Sequence, residues 1–97
     1  MFSVISINEL ERMIKAGEDL VFIDLRRAGE YEAFHFPGAV NIPYQLLNQE
    51  RLMPYRGSLL VFGCEHGGKS MRAARDLNRR GFRTASLGCG IPTRKPD

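Results

Sequence analysis

The chain has 97 residues, of which 43% are hydrophobic and 26% charged, and its formal net charge is +3. That length allows a single domain over residues 1–97 with one modest core, and the composition excludes wholesale disorder. No apolar run approaches the roughly 18–20 residues of a membrane span, and the opening Met1-Phe2-Ser3-Val4-Ile5 lacks the basic start of a secretory signal, so a cytoplasmic protein with no membrane partner is expected.

In chain order, Val4-Ile5 reads as a weak first strand. Ser6-Ile7-Asn8-Glu9 is a capping box, in which Ser6 caps a helix and Glu9 reaches back to it. Ile7, Leu10, Met13 and Ile14 then share one helical face, and Gly17 suits the C-terminal stop. Leu20-Val21-Phe22-Ile23 is a continuous apolar run, the pattern of a strand buried on both faces, and it ends at Asp24. A short helix is expected from Ala28 to Phe34 with Ala28, Tyr31 and Phe34 turned inward, followed by a Pro37-Gly38 turn. Ala39 to Ile42 is a short third strand. Pro43 opens another helix at its first position, using Leu46 and Leu47, and Pro54 bounds that segment.

Leu59 to Phe62 is the fourth strand, and Gly63 to Lys69 is a glycine-rich loop. Ser70 to Arg80 is a helix that turns Ala73, Ala74 and Leu77 inward, turns Arg72, Arg75 and Arg79 to solvent, and stops at Gly81. Thr84 to Leu87 is the fifth strand, and residues 92–97 form a loose polar tail. Strands alternating with helices define an α/β fold: three layers, α/β/α, around a central, mostly parallel five-stranded sheet. Ligands of such sheets bind beyond the carboxyl ends of the strands, where Asp24, Cys64 and Cys89 gather.

Charge divides unevenly along the chain. Residues 1–50 carry four Lys/Arg against eight Asp/Glu, and residues 51–97 carry ten against three. The basic half has neither the interleaved aromatics nor the signature of a nucleic-acid reader, so no nucleic-acid partner is expected; a site for a small anion fits it better. Two cysteines and two histidines, at spacings that match no structural zinc site, point to no metal and no cofactor.

The chemistry concentrates in Gly63-Cys64-Glu65-His66-Gly67-Gly68-Lys69-Ser70. Here a cysteine leaves a buried strand and a short loop leads straight into a helix. Glycines let successive N–H groups turn inward as an anion nest, the helix adds its positive end, and Lys69 adds a full charge. All three favour a thiolate, which makes Cys64 the candidate nucleophile, with the backbone of Glu65, His66, Gly67, Gly68, Lys69 and Ser70 as its cradle. A loop of C-x5-R type, sized for phosphate, would need arginine at position 70, which is Ser70.

Three blocks together resemble the rhodanese family of sulfurtransferases, over about Ser6 to Ile91. They are Ile23-Asp24-Leu25-Arg26 with Glu30-Tyr31, then His35-Phe36-Pro37-Gly38-Ala39-Val40-Asn41-Ile42-Pro43, then the cysteine loop with Ser70, Ala73-Ala74, Leu77 and Gly81-Phe82. The resemblance implies a rhodanese-like fold. It also implies an enzyme whose Cys64 takes a sulfane sulfur from a small anionic donor such as thiosulfate and passes it to cyanide, a thiol or a protein acceptor. A binding or sulfur-relay module with weak catalysis is the alternative.

Among the remaining polar residues, Asp24 and Arg26 are expected to brace the strand-end loops rather than touch substrate, as the family resemblance also implies. His66 either meets substrate or stands in solvent, and Glu65 faces solvent. Cys89 follows the strand expected beside that of Cys64, which makes it either a resolving thiol or a small packing side chain.

Overall fold

In the computed structural model, which describes residues 1–92, the two longest strands lie side by side at the centre of the sheet. The strands are β1 (Ser3–Ile5), β2 (Leu20–Asp24), β3 (Val40–Asn41), β4 (Leu59–Gly63) and β5 (Thr84–Leu87). Their spatial order is β1-β5-β4-β2-β3, and every pairing is parallel. β2 pairs with β4 from Leu20 opposite Leu59 to Asp24 opposite Gly63, so Asp24 and the residue before Cys64 reach the same edge together.

Strand alternation sends neighbouring residues to opposite faces, which explains why the central strands are apolar over Leu20–Ile23 and Leu59–Phe62. Ile23, Leu60 and Phe62 pack on one face with Ala73, Ala74 and Leu77 of helix α4 (Gly68–Arg79) and with Leu52 of the short helix α3 (Gln49–Leu52). Phe22, Val61, Ala85 and Leu87 pack on the other face with Leu10 of helix α1 (Ile7–Lys15) and with Phe36. Two cores with a sheet between them make the expected three layers. At the start of α1 the capping box is formed: Ser6 accepts from the Glu9 amide, and the Glu9 carboxylate accepts from the Ser6 amide.

Four local expectations are corrected. The third strand shrinks to Val40–Asn41 at the edge of the sheet, where β2 alone supplies partners. Helix α2 spans Ala28–Ala33 and Ala28 is exposed; Tyr31 is half-buried and instead donates its hydroxyl to Ala39 O at 2.6 Å. Pro43 stands before, not inside, a single 3-10 turn at Tyr44–Leu46, because its ψ of 141° is extended; Leu46 is left exposed. Asn48 then caps α3, accepting from the Arg51 amide at 2.8 Å, and Pro54 sits within a second 3-10 turn, Met53–Tyr55, rather than ending the segment. Fourth, α4 begins two residues before Ser70, at Gly68. Of the tail read as loose, residues 93–97 lie outside the described residues.

Candidate active site

β4 ends at Gly63, and Cys64 is the first residue past it. Because α4 starts at Gly68, the connecting loop is only Cys64 to Gly67, and Lys69 and Ser70 lie in the first helical turn rather than in the loop. The reversal depends on Gly67, which caps α4 with φ +89°, a region that L side chains avoid. It also lies against β5's exit: a Cβ on Gly67 would stand 3.1 Å from Gly88 O.

The result is a socket for sulfur. Cys64 Sγ accepts from the Gly67 amide at 3.1 Å and from the Ser70 amide at 3.3 Å. Cys64 is 1% exposed, so these donors act where water does not compete. Amide donors and the positive end of a 12-residue helix are worth most when the sulfur they meet is an anion. The Ser70 side chain points the other way, donating to Gly67 O at 3.0 Å and accepting from the Ser86 hydroxyl at 2.9 Å. Its amide thus serves the sulfur while its hydroxyl, fully buried, ties α4 to β5. Thr84 repeats the tie one layer down, donating to Ala74 O at 2.7 Å.

The segment after β5 holds the loop from beneath. Gly88 N donates to Ile5 O at 2.9 Å and Ile91 N to Cys64 O at 2.8 Å. Between them Gly90 runs so close to Glu65 that a side chain there would collide with the Glu65 carbonyl.

Asp24 and Arg26 are both buried and form a forked ion pair. Arg26 Nη2 lies 2.8 Å from Asp24 Oδ2 and Arg26 Nε 3.1 Å from Oδ1, while the Arg26 amide donates to Oδ1 at 3.0 Å. The guanidinium then donates to Phe34 O at 2.6 Å and to Pro92 O at 3.3 Å. One arginine so joins the end of β2, the exit of α2 and the segment under Cys64. Asn41 closes the same corner by donating to Asp24 O and Arg26 O, each at 3.0 Å.

Above the sulfur a cleft of about 290 Å³ is lined by Cys64, Glu65, His66, Gly68, Lys69 and Arg72. Asp24, Arg26, Ser70 and Cys89 are not on that lining. Lys69 extends over the Tyr44 ring, with Nζ 5.8 Å from its centroid. Cys89 is exposed, and both cysteines are free thiols.

Residues 6–91 match the family model of the rhodanese-like domain. The chain belongs to the rhodanese-like family. This rhodanese-like domain is 29% identical over 79 residues to the putative sulfur carrier protein YrkF of Bacillus subtilis, covering 81% of this chain and 43% of YrkF. It is 30% identical over 87 residues to the putative sulfurtransferase YtwF of the same organism, covering 90% of this chain and 84% of YtwF. It therefore spans less than half of the first relative's length and most of the second's. The fold is shared with a rhodanese-related protein of Thermoplasma volcanium, with a TM-score of 0.82 at 24% identity, covering 95% of this chain and 89% of that one. A rhodanese-like domain with sulfurtransferase and sulfur-carrier relatives is what the chain is.

Relative to the sequence reading, the cleft of this rhodanese-like domain gains one residue. Arg72 is exposed, as expected of a stripe shared with Arg75 and Arg79, and it also lines the cleft. The signal was present in its spacing: Arg72 is three positions after Lys69, so both project from the same side of α4. Glu65, expected to face solvent, is half-buried on the cleft wall.

Proposed function

We propose that this domain is a sulfurtransferase that carries sulfane sulfur as a persulfide on Cys64. The observation that carries the reading is the Cys64 sulfur under two amide donors at the start of α4, at the floor of a cleft with two cationic side chains. With thiosulfate, the Cys64 thiolate attacks the outer sulfur, its electron pair forms the new S–S bond, and the broken bond's pair leaves on sulfite. The persulfide keeps one negative charge, which the Gly67 and Ser70 amides face. A nucleophilic acceptor, cyanide or a thiol, then takes the outer sulfur and returns the thiolate. No step needs a metal, an organic cofactor or an added acid.

Two free cysteines suit a reducing, cytoplasmic compartment. The donor in this reading is a small sulfur anion and the acceptor a thiol or a protein. The test is intact mass after incubation with thiosulfate or polysulfide. A gain of roughly 32 Da, reversed by cyanide and absent from Cys64→Ser protein, is the expected result. An unloaded wild-type protein, or equal loading of Cys64→Ser, sinks the proposal.

A relay module is the second reading, favoured by the chain spanning 43% of a sulfur carrier protein. Loading without turnover to small acceptors would select it.

A further inference from the structure

We propose that the outward face of α4, Arg75 and Arg79 with Met71 beside them, is a docking surface for an acidic helix of a partner protein. The surface lies off the cleft, and the proposal stands whether or not Cys64 carries sulfur.

The charge of α4 is one-sided. Gly68–Arg79 holds Lys69, Arg72, Arg75 and Arg79 against the single acid Asp76. Ala73, Ala74 and Leu77 are buried in the core beneath. At about 100° per residue, Arg72, Arg75 and Arg79 fall on the opposite side, and all three are exposed.

This arrangement works against the helix that carries it. Lys69 and Arg72 stand near the positive N-terminal end, where acids are favoured, and the first turn has no acid. Arg75 is three residues after Arg72 and four before Arg79, the two spacings at which like charges repel. Relief is small. Among the described residues the ion pair of this face is Arg75–Asp76, at 3.7 Å with both side chains about half exposed, and Arg79 is in none. Guanidinium groups clustered in open solvent gain most when an anionic surface covers them.

The spacing selects a helix as that surface. Arg72 to Arg79 spans a rise of roughly 10 Å. Acids at i, i+4 and i+7 of a partner helix repeat the same two turns, so a helix laid along α4 brings carboxylates and guanidinium groups into register. Met71 adds an apolar contact. It is 39% exposed, lies one turn before Arg75, and is the exposed large hydrophobic residue of α4. An unbranched thioether beside a charged stripe gives the partner an adaptable anchor with a polar rim. A nucleic acid would gain less, because α4 has no aromatic residue on which bases stack and a ~10 Å line meets few phosphates.

The probe is an alanine-based helical peptide of about 20 residues, with glutamates at i, i+4 and i+7 and a leucine beside them, titrated into the full chain while backbone amide signals are followed. Signals of α4 from Met71 to Arg79 should move. Arg75→Gln/Arg79→Gln should weaken binding about fivefold, as two exposed ion pairs of ordinary strength supply, and a glutamine version of the peptide should lose as much. Added salt should weaken the complex. Arg12→Gln/Lys15→Gln removes the same charge from α1 in the other layer and should leave binding unchanged. Arg75 and Arg79 lie outside the cleft lining, so their double variant should keep transfer between small molecules. Absent binding, shifts confined to residues outside α4, an equal loss in the α1 variant, or loss of small-molecule transfer in the α4 variant overturns the proposal. Tighter binding of a duplex DNA of equal charge overturns it too, and makes the face one for nucleic acid.

Discussion

Ile91 donates its amide to the carbonyl of Cys64 at 2.8 Å, so the backbone of the candidate nucleophile hangs from the segment that leaves β5. The contact is possible because Gly90, one residue earlier, passes against Glu65 with no side chain. The position of the sulfur is thus set from both ends of the loop: by α4, which supplies the amides, and by residues 88–91, which fix the backbone beneath.

Gly90→Ala tests this support. The added methyl must displace the Glu65 carbonyl, which is backbone and moves only with the loop. Sulfur transfer should fall at least tenfold, since small displacements of a reacting atom are costly. Global stability should change less than in core variants, because the strain is local. Retained transfer rates in a folded Gly90→Ala protein would show that the loop is held by α4 alone.

Breaking the Asp24–Arg26 pair should destabilise the whole domain. Asp24→Ala leaves a guanidinium buried without its carboxylate, a loss of about 3–5 kcal/mol in denaturant unfolding. Replacing both residues with apolar ones of similar volume should recover part of that loss. Donation by Arg26 to Pro92 O also predicts that Arg26 variants lose transfer activity under conditions where they remain folded. A surface-like effect below about 1 kcal/mol for Asp24→Ala would contradict the buried geometry.

Lys69→Ala should weaken use of thiosulfate severalfold more than use of an uncharged sulfane donor, because the cleft loses one of its two cations. Raising the salt concentration should shrink the difference, as screening requires. Lys69→Arg should keep or improve thiosulfate use. Parallel losses with both donors would instead place Lys69 in packing against Tyr44.

Cys89 is exposed, which corrects the reading of it as a small packing side chain and leaves the resolving role as the one to test. β4 and β5 are neighbours, and Gly67 and Gly88 nearly touch, which brings the two cysteine-bearing segments together. Attack of the Cys89 thiol on the inner sulfur of the Cys64 persulfide, with the thiol proton passing to the outer sulfur, would form a disulfide and release hydrosulfide, with no outside oxidant. Non-reducing peptide mapping of loaded protein should find the linked fragment, and Cys89→Ser should slow sulfide release without slowing loading. Free thiols throughout, with release unaffected by Cys89→Ser, would leave Cys89 a surface side chain.

The sequence alone determined the layer order, because hydrophobic period is a local property. Continuous runs at Leu20–Ile23 and Leu59–Phe62 can be buried only between two helical layers, and the Ser6–Glu9 box marks a helix start wherever it occurs. It also placed the candidate nucleophile, since a cysteine between a buried strand and a glycine-rich turn is visible without coordinates. It failed where local signals were weak or where distant segments decide. Pro43 has a fixed φ but a free ψ, and tertiary context made it extended, so the following helix broke into short turns around Asn48. The start of α4 moved to Gly68 because Gly67 adopts a left-handed cap against Gly88, a contact across 21 positions that no window along the chain contains. Tertiary structure likewise gave Arg26 its link to Pro92 and gave Cys64 its support from Ile91, because hydrogen bonds between segments far apart in sequence form only after the sheet has set their register.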